Sequence, residues 1–548
     1  MAHALAGKPV QEQDIIDVQT IVDAYFDNVP DMTNSTQLVS FGTSGHRGTS
    51  VDGTFTDLHV AAITQAICDG RKQFGATGPI FVGQDTHALS QPALVTVLEV
   101  LAGNGVTAMV DCDMAFVPTP SVSRAIIRYN EEHDDKADGI IITPSHNPPD
   151  NGGIKYNTII GGPADTVVTK WIEMRANEYL TAYCESEDFK RISIDNIEPT
   201  AQVPYDYKGL YVEELGDVIN MEAIKEAGPK VLVDTLGGSG ASYWNAIKER
   251  YGLDLTIIHD DYDPTFSFMT YDHDGKVRMD CSSTYVMASV INRIGDFDLA
   301  VGNDPDYDRY GIVVSSGLIS ANIFLTLAAS YLFTTRGWKN KGVGKTVVCT
   351  TMIDKWAADA ETPVFEVPVG FKYFSQLLFD GAIGIGGEES AGASFLKKDG
   401  TVWTTDKDGM IMALLSMEIM AVMGKSALKM ADEFVEEFGN PSFGRIDAPC
   451  KKEQKQILKQ MSAELITATT VDGDPITNIR TTSLYNDMPI DGVRVETDKG
   501  WFVARPSGTE DLYKIYGESY KGDLGLVALL TVGEEIVNAA LNGTIETE

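Results

Sequence analysis

The stretch "GIIITPSHNPPDNGGIKY" (139–156) changes character abruptly at its fifth residue. "GIIIT" is a short apolar run of β-branched residues, the composition of a buried strand. A serine, a histidine, two prolines and two glycines then fall within the nine residues 145–153. A surface turn needs one proline or one glycine. This density predicts a backbone held in one conformation around Ser145, a hydroxyl at the end of a buried strand.

The same plan recurs along the chain. "PIFVGQDT" (79–86), "KVLVDTLGGSG" (230–240), "DLAVGNDPD" (298–306) and "AIGIGGEES" (382–390) each run from apolar strand to polar loop. Helical periodicity lies between them, at 57–74, 90–104, 239–251, 284–294, 321–336 and 408–424. Strands alternating with helices predict parallel sheets with crossover helices, whose ligands bind beyond the carboxyl ends of the strands. The tail differs. "GVRVETDKGWFVARPSGTEDLYKIYGESY" (492–520) reads as antiparallel strands, with a closing helix over 524–541. Linker-like stretches fall at 192–208, 315–320 and 438–452. A chain of 548 residues is too long for one core. The expected fold class is therefore α/β: three similar mixed α/β domains (1–200, 201–315 and 316–445) and a smaller C-terminal α+β domain (446–548).

Charge narrows the partners. With 43 basic against 79 acidic residues, the net charge of −36 repels nucleic acid and anionic membrane surfaces. A phosphorylated ligand would need the basic residues concentrated at its site. The six cysteines, at 68, 112, 184, 281, 349 and 450, form no CxxC pair. That argues against zinc and against a disulfide framework, and points to a reduced cytoplasm. The N-terminus lacks a basic-then-apolar leader, and "NIFLTLAASYLF" (322–333) is too short to span a bilayer, so no membrane partner is expected.

Four loops carry the chemistry, with a glycine-rich stretch at 42–48 beside them. In "GNDPDYDRYG" (302–311), Asp304, Asp306 and Asp308 alternate and Arg309 follows. On a bent loop three hard oxygen ligands converge and suit Mg²⁺, although a solvated acidic turn is the plain alternative in so acidic a chain. Ser145 is the candidate nucleophile, with His146 beside it as a possible base. No triad spacing accompanies them, and the G-x-S-x-G elbow is absent. "RPSGTED" (505–511) offers Arg505, Ser507 and Thr509 as phosphate donors. "GTSGHRG" (42–48) sets Arg47 among glycines. "GGEESAG" (386–392) places two carboxylates and a hydroxyl where sugar hydroxyls can be read. Each loop alone also fits an ordinary turn. Together they imply phosphoryl transfer to or from a sugar phosphate.

At this point the chain resembles a known family, the α-D-phosphohexomutases, and within it the bacterial-type α-phosphoglucomutase branch. The resemblance spans roughly 40–540. "TPSHNPP", "DPDYDR", "GEES" and "RPSGTE" stand in the family's order, with "GTSGHRG" and "VPVGFKYF" in support. It implies four domains around a central cleft, each giving one loop. Ser145 looks like the phosphoryl-carrying serine. Asp304, Asp306 and Asp308 would hold Mg²⁺, with the Ser145 phosphate oxygen as a further ligand, and Arg309 would lie beside the transferring group. Glu388 and Ser390 would bind sugar hydroxyls, and Arg505, Ser507 and Thr509 the phosphate not being transferred. Lys155, Lys372, Lys407, Arg47 and His146 would line the cleft, with Lys407 first and Lys155 second for proton transfer. Val369 departs from the family, where threonine is frequent. The implied reaction interconverts α-glucose 1-phosphate and glucose 6-phosphate through glucose 1,6-bisphosphate.

Three other readings stay open: another hexose-phosphate mutase acting on mannose or an amino sugar, a phosphatase, and a non-catalytic relative. Ser145 and all three aspartates are present, against the last. A monomer and a homodimer fit the sequence equally.

Overall fold

The computed structural model describes residues 2–42, 45–184, 189–466, 468–508 and 512–542. The first sheet holds β1 (His46–Thr49), β2 (Ile80–Gln84), β3 (Ala108–Asp111), β4 (Asp138–Ile142), β5 (Asn151–Asn157) and β6 (Gln202–Tyr205), in the order β1-β5-β4-β2-β3-β6. The second holds β7 (Val231–Asp234), β8 (Leu255–Ile258), β9 (Leu299–Gly302), β10 (Gly311–Val314) and β11 (Gly317–Leu318), in the order β11-β10-β9-β7-β8. The third holds β12 (Gly342–Thr346), β13 (Val364–Val367), β14 (Ile383–Gly387) and β15 (Ala393–Phe395), in the order β13-β12-β14-β15. The fourth holds β16 (Ser442–Pro449), β17 (Thr470–Val471), β18 (Asp474–Thr482), β19 (Pro489–Thr497), β20 (Gly500–Pro506) and β21 (Leu512–Ser519), in the order β16-β21-β20-β19-β18-β17. The first three mix parallel and antiparallel pairs, and the fourth is antiparallel throughout. Three α/β units and a C-terminal α+β unit are thus present.

Strands β2, β4, β7 and β9 are buried along their whole length, which is why they read as unbroken apolar runs rather than alternating ones. Helices form at Asp57–Gly70, Ser90–Gly103, Ala241–Tyr251, Ala321–Arg336 and Gly409–Met423, inside the expected stretches. The stretch 284–294 departs from expectation. It keeps only a four-residue helix, Ala288–Ile291, before a 3-10 turn at Ile294–Asp296. Ser282 and Ser283 just upstream spend their hydroxyls on Asp280 and Asp272 (2.6 Å each), which ties the chain into loop contacts.

The connections of three of the four chemical loops differ from the expected crossovers, and the fourth joins antiparallel strands as read. Each loop joins two antiparallel neighbours: β4 to β5, β9 to β10, β14 to β15 and β20 to β21. Each is therefore held at both ends by a strand ladder.

Several boundaries fall differently from the linker reading. β6 pairs with β3 although it lies past residue 200, β11 extends the second sheet past 315, and β16 starts at Ser442, before 446. Pro204, Gly317, Gly444 and Pro449 gave these short strands the composition of linkers. The N-terminal residues dock on the second unit, where Gly7 N donates to Tyr271 O (2.8 Å) and Tyr271 N to Lys8 O (3.0 Å). The closing helix, Gly522–Leu541, has 20 residues, of which an 18-residue stretch has a mean hydropathy of 1.6, long and apolar enough by composition to cross a bilayer. Gly525, Leu529, Gly533 and Val537 form its buried face, and the helix packs on β20 and β21.

A buried ion pair and neighbouring polar contacts fasten the fourth unit to the third. Arg480 on β18 makes a bidentate pair with Glu366 on β13 (2.6 and 2.8 Å), at 9% and 2% exposure. Glu518 accepts from Thr351 N (2.9 Å) and Trp501 Nε1 (3.0 Å). Lys355 Nζ sits 3.3 Å over the Tyr520 ring. Removing one member of such a pair strands a buried charge. Arg480→Ala should therefore cost about 3–5 kcal/mol. Differential scanning calorimetry should show a lowered transition, partly restored in the Arg480→Ala/Glu366→Ala double variant. An unchanged thermogram would refute the role assigned to this pair.

Candidate active site

Ser145 sits at the turn between β4 and β5, 1% exposed, with a left-handed φ of 62°. Tyr307 (φ 62°) and Ala391 (φ 64°) occupy the same region on the β9–β10 and β14–β15 loops. An L-residue there costs roughly 1–2 kcal/mol. Three hairpin loops thus each carry one strained non-glycine residue, a feature that clusters at functional sites.

The first two loops meet. Ser145 Oγ donates to Asp304 Oδ2 (2.8 Å) and lies 3.3 Å from His146 Nδ1. Asp304, Asp306 and Asp308 are all buried, with one oxygen from each within 4.8 Å of the others. Cations answer them. Lys155 on β5 reaches Asp306 Oδ2 (2.6 Å) and Asp308 Oδ2 (3.3 Å), and Lys407 reaches Asp308 Oδ2 (2.8 Å). Arg309 N donates to Asp304 Oδ1 (2.9 Å). Oδ1 of Asp306 and Oδ1 of Asp308 have no hydrogen-bond partner despite burial. Two orphaned carboxylate oxygens facing a third carboxylate suit a hard divalent cation, so the residues present fit Mg²⁺.

The electrostatics agree. Burial, then Asp308 and Asp306, push the Asp304 carboxyl well above its usual range. Burial also works to raise Asp308, but Lys407 and Lys155 hold it below the ordinary carboxylate range. Burial lowers both lysines, yet the facing aspartates for Lys155, and Asp308 with Glu388 for Lys407, raise them overall, so both are cations at neutral pH. His146 is pushed well down, by burial and then by Arg309, and is neutral.

Glu388 opens the third loop. Its Oε1 accepts from Gly370 N (3.1 Å), which ties that loop to "VPVGFK". Lys155, Asp308, Lys372, Glu388, Asp406 and Lys407 line one cavity. Gly392 makes room for it: a Cβ there would lie 2.3 Å from Lys407 Cδ, and Gly392 pairs in a bridge with Arg309. Lys372 donates to Thr166 Oγ1 (2.9 Å), Arg47 Nη1 to Asn147 Oδ1 (3.3 Å), and Ser390 is half-buried. Arg505 and Ser507 are buried at the β20–β21 turn and do not line this cavity, and Arg505 Nε has no hydrogen-bond partner among the described residues. Thr509 lies outside the described residues. Val369 packs against the apolar cluster of Val347, Trp501 and Tyr516 that joins the third and fourth units.

Sequence reasoning missed four polar residues. Asp280 Oδ2 accepts from Arg309 Nη1 (3.1 Å), and Thr119 Oγ1 donates to Asp306 Oδ2 (2.7 Å). Asp406 accepts from Asn157 Nδ2 (2.9 Å), and Asp85 lies beneath the serine turn. Only Asp85 had a local signal, the strand-to-loop plan of "PIFVGQDT".

Fold and site together define an α/β protein whose loops bring a buried serine, three carboxylates and two lysines to one place. Phosphoglucomutase/phosphomannomutase models match in four parts: alpha/beta/alpha domain I at 38–182, domain II at 210–317, domain III at 320–438 and the C-terminal domain at 447–524. The chain is 47% identical over 539 residues to the phosphoglucomutase of Komagataeibacter xylinus, covering 97% of each. It belongs to the phosphoglucomutase/phosphomannomutase family. The fold is similar to that of a phosphomannomutase structure from Thermus thermophilus (TM-score 0.71, 23% identity, 91% of this chain and 99% of that one). It is equally similar to the open form of Paramecium parafusin (TM-score 0.71, 20% identity, 94% and 97%).

Glu388 offers a pH test. Burial, with Glu389 adding and Lys407 opposing, raises its carboxyl from 4.5 to about 7. The fold therefore keeps a proton that the unfolded chain releases, and this contribution to stability is lost as pH rises from 4.5 to about 7. In thermal melts across that window, Glu388→Gln should fall less steeply than wild type. Parallel curves would contradict the burial argument.

Proposed function

We infer that this chain is a phosphoglucomutase, interconverting α-D-glucose 1-phosphate and D-glucose 6-phosphate through phosphorylated Ser145 and glucose 1,6-bisphosphate. The observation that carries this is Ser145 in a strained, buried turn, hydrogen-bonded to Asp304 of the carboxylate cluster that Lys155 and Lys407 answer. A phosphate on Ser145 would meet Arg309, Lys155 and Lys407. In the forward half-reaction the serine P–O bond breaks and a P–O bond to the free sugar hydroxyl forms. The proton lost by that hydroxyl balances the one gained by Ser145 Oγ. The bisphosphate then turns over, and Ser145 takes the other phosphate back.

Mg²⁺ held by Asp304, Asp306, Asp308 and the Ser145 oxygen would supply charge to offset the phosphoryl oxygens. The protein's own residues do the rest. Lys155 and Lys407, kept charged by the aspartates, stabilise developing negative charge and stand ready as proton donors to the leaving oxygen. A general base from this pair would need its aspartate partner engaged elsewhere. Asp280 aims Arg309 at the transferring group. Glu388 and Ser390 would accept from and donate to sugar hydroxyls. Lys372 and Arg47 would line the cleft, and Arg505, Ser507 and Thr509 would hold the remote phosphate. Four units, each giving one loop, follow from this assignment. Cys68, Cys112, Cys281 and Cys349 carry free thiols, in keeping with a reduced cytoplasm. Sugar phosphates are the partners, and a monomer or homodimer serves equally.

The test is a coupled assay on glucose, mannose and glucosamine 1-phosphates, with and without glucose 1,6-bisphosphate. Glucose 1-phosphate should be preferred, with bisphosphate stimulating and no free phosphate released. Preference for another sugar would reassign the substrate, and phosphate release would make the enzyme a phosphatase. Peptide mass spectrometry should find phosphate on Ser145, and Ser145→Ala should abolish turnover with an unchanged circular dichroism spectrum. Asp306→Asn should weaken Mg²⁺ binding by calorimetry; unaltered affinity would remove Asp306 from the ligand set.

A further inference from the structure

We propose that Asp85 and His87, on the loop after β2, are positioning residues that clamp the Ser145 turn from both sides and so set the rate of phosphoryl transfer. The proposal rests on the reading of Ser145 as the phosphoryl carrier.

Asp85 is fully buried and accepts four hydrogen bonds. Oδ1 takes His87 N (3.0 Å) and Ser90 Oγ (2.6 Å), and Oδ2 takes His87 Nδ1 (2.8 Å) and Thr143 Oγ1 (2.6 Å). Two arms run from it to the serine turn. In the first, Thr143 gives its proton to Asp85, so its oxygen is free to accept from Ser145 N at 2.7 Å. In the second, His87 Nε2 lies 3.0 Å from Asn147 O. The two arms therefore grip the backbone on either side of the left-handed residue.

The imidazole is the informative part. Nδ1 faces a carboxylate and Nε2 faces a carbonyl, and neither partner carries a proton to give. Both ring nitrogens must then donate, which makes His87 an imidazolium paired with Asp85. Burial works to lower its pKa, and the Asp85 carboxylate raises it overall. Phe266 of the second unit lies over the ring, with centroids 5.1 Å apart, and shields the pair from water.

A buried pair of this kind does not touch the reacting atoms. Its effect is on geometry. Ser145 has no glycine's freedom to hold a φ of 62°, and relaxation of the turn would carry Oγ away from Asp304. Displacement of a reacting group by about 1 Å can cost about a hundredfold in rate.

The test uses single-turnover transfer from phosphorylated enzyme to glucose 6-phosphate, with the rate expressed per phosphoserine. Thr143→Val removes the hydroxyl at nearly constant shape, and Thr143→Ser keeps it. Thr143→Val should be about 10- to 100-fold slower than wild type, and Thr143→Ser within about threefold of it. Affinity for glucose 6-phosphate should change by less than about twofold, because the remote binding groups are untouched. His87→Gln, which keeps one donor, should be slowed to an intermediate extent and carries the test if Thr143→Val does not fold. A purely structural role would lower the melting temperature and the yield of active sites but leave the rate per phosphoserine unchanged. That result, or Thr143→Ser as slow as Thr143→Val, overturns the proposal. Wild-type enzyme that transfers no phosphate from Ser145 would instead overturn the functional reading.

Discussion

Three carboxylates buried within 4.8 Å of one another are the constraint around which the chain is arranged. Left alone, such a cluster cannot stay ionised in a low dielectric. It is tolerable because Lys155 comes from the first sheet, Lys407 from the stretch before the helix Gly409–Met423, and the Ser145 hydroxyl from the first loop. Three units are therefore tied at one electrostatic point. Thr119 adds a further tie, since it bonds Asp306 through its hydroxyl (2.7 Å) and its backbone N–H (2.9 Å).

The same constraint explains the strain. A hairpin loop anchored by a ladder at both ends has little freedom to aim a side chain. Ser145, Tyr307 and Ala391 take up the left-handed conformation, and the surrounding contacts hold it there. Tyr307 is fully buried and packs against Gly238 and Gly240, while Gly409 N donates to Tyr307 O (2.9 Å). Ser145 has Thr143 and the Asp85–His87 pair beneath it. Backbone strain here is balanced by buried polar contacts, an arrangement that favours one loop geometry over many.

The fourth unit is attached by a different logic. Its polar contacts with the third are one buried Arg–Glu pair, the Thr351–Glu518 bond and a cation over a ring. The apolar part of this junction, around Val347, Val348, Trp501 and Tyr516, is small. A buried charge that loses its partner is strongly destabilising, so this pair disfavours other orientations of the domain.

Local patterns in the sequence determined the strands, most of the helices and the composition of the four chemical loops, because burial and periodicity write themselves into neighbouring residues. "GIIIT" and "DLAVG" could be read as buried strands, and "DPDYDR" as a metal loop, without any partner. The helix expected over 284–294 was lost to side-chain bonds that reach Asp272 and Asp280, which periodicity does not register. The hairpin nature of the first three loops was invisible for a related reason: a strand followed by a polar loop looks the same whether the next strand pairs parallel or antiparallel. Only the tertiary structure decided which polar residues meet. Asp280 stands 29 positions from Arg309, Thr119 187 positions from Asp306, and Thr143 58 positions from Asp85. Hydrogen bonds and charge pairs act over a few ångströms of space, and no spacing along a chain encodes that distance.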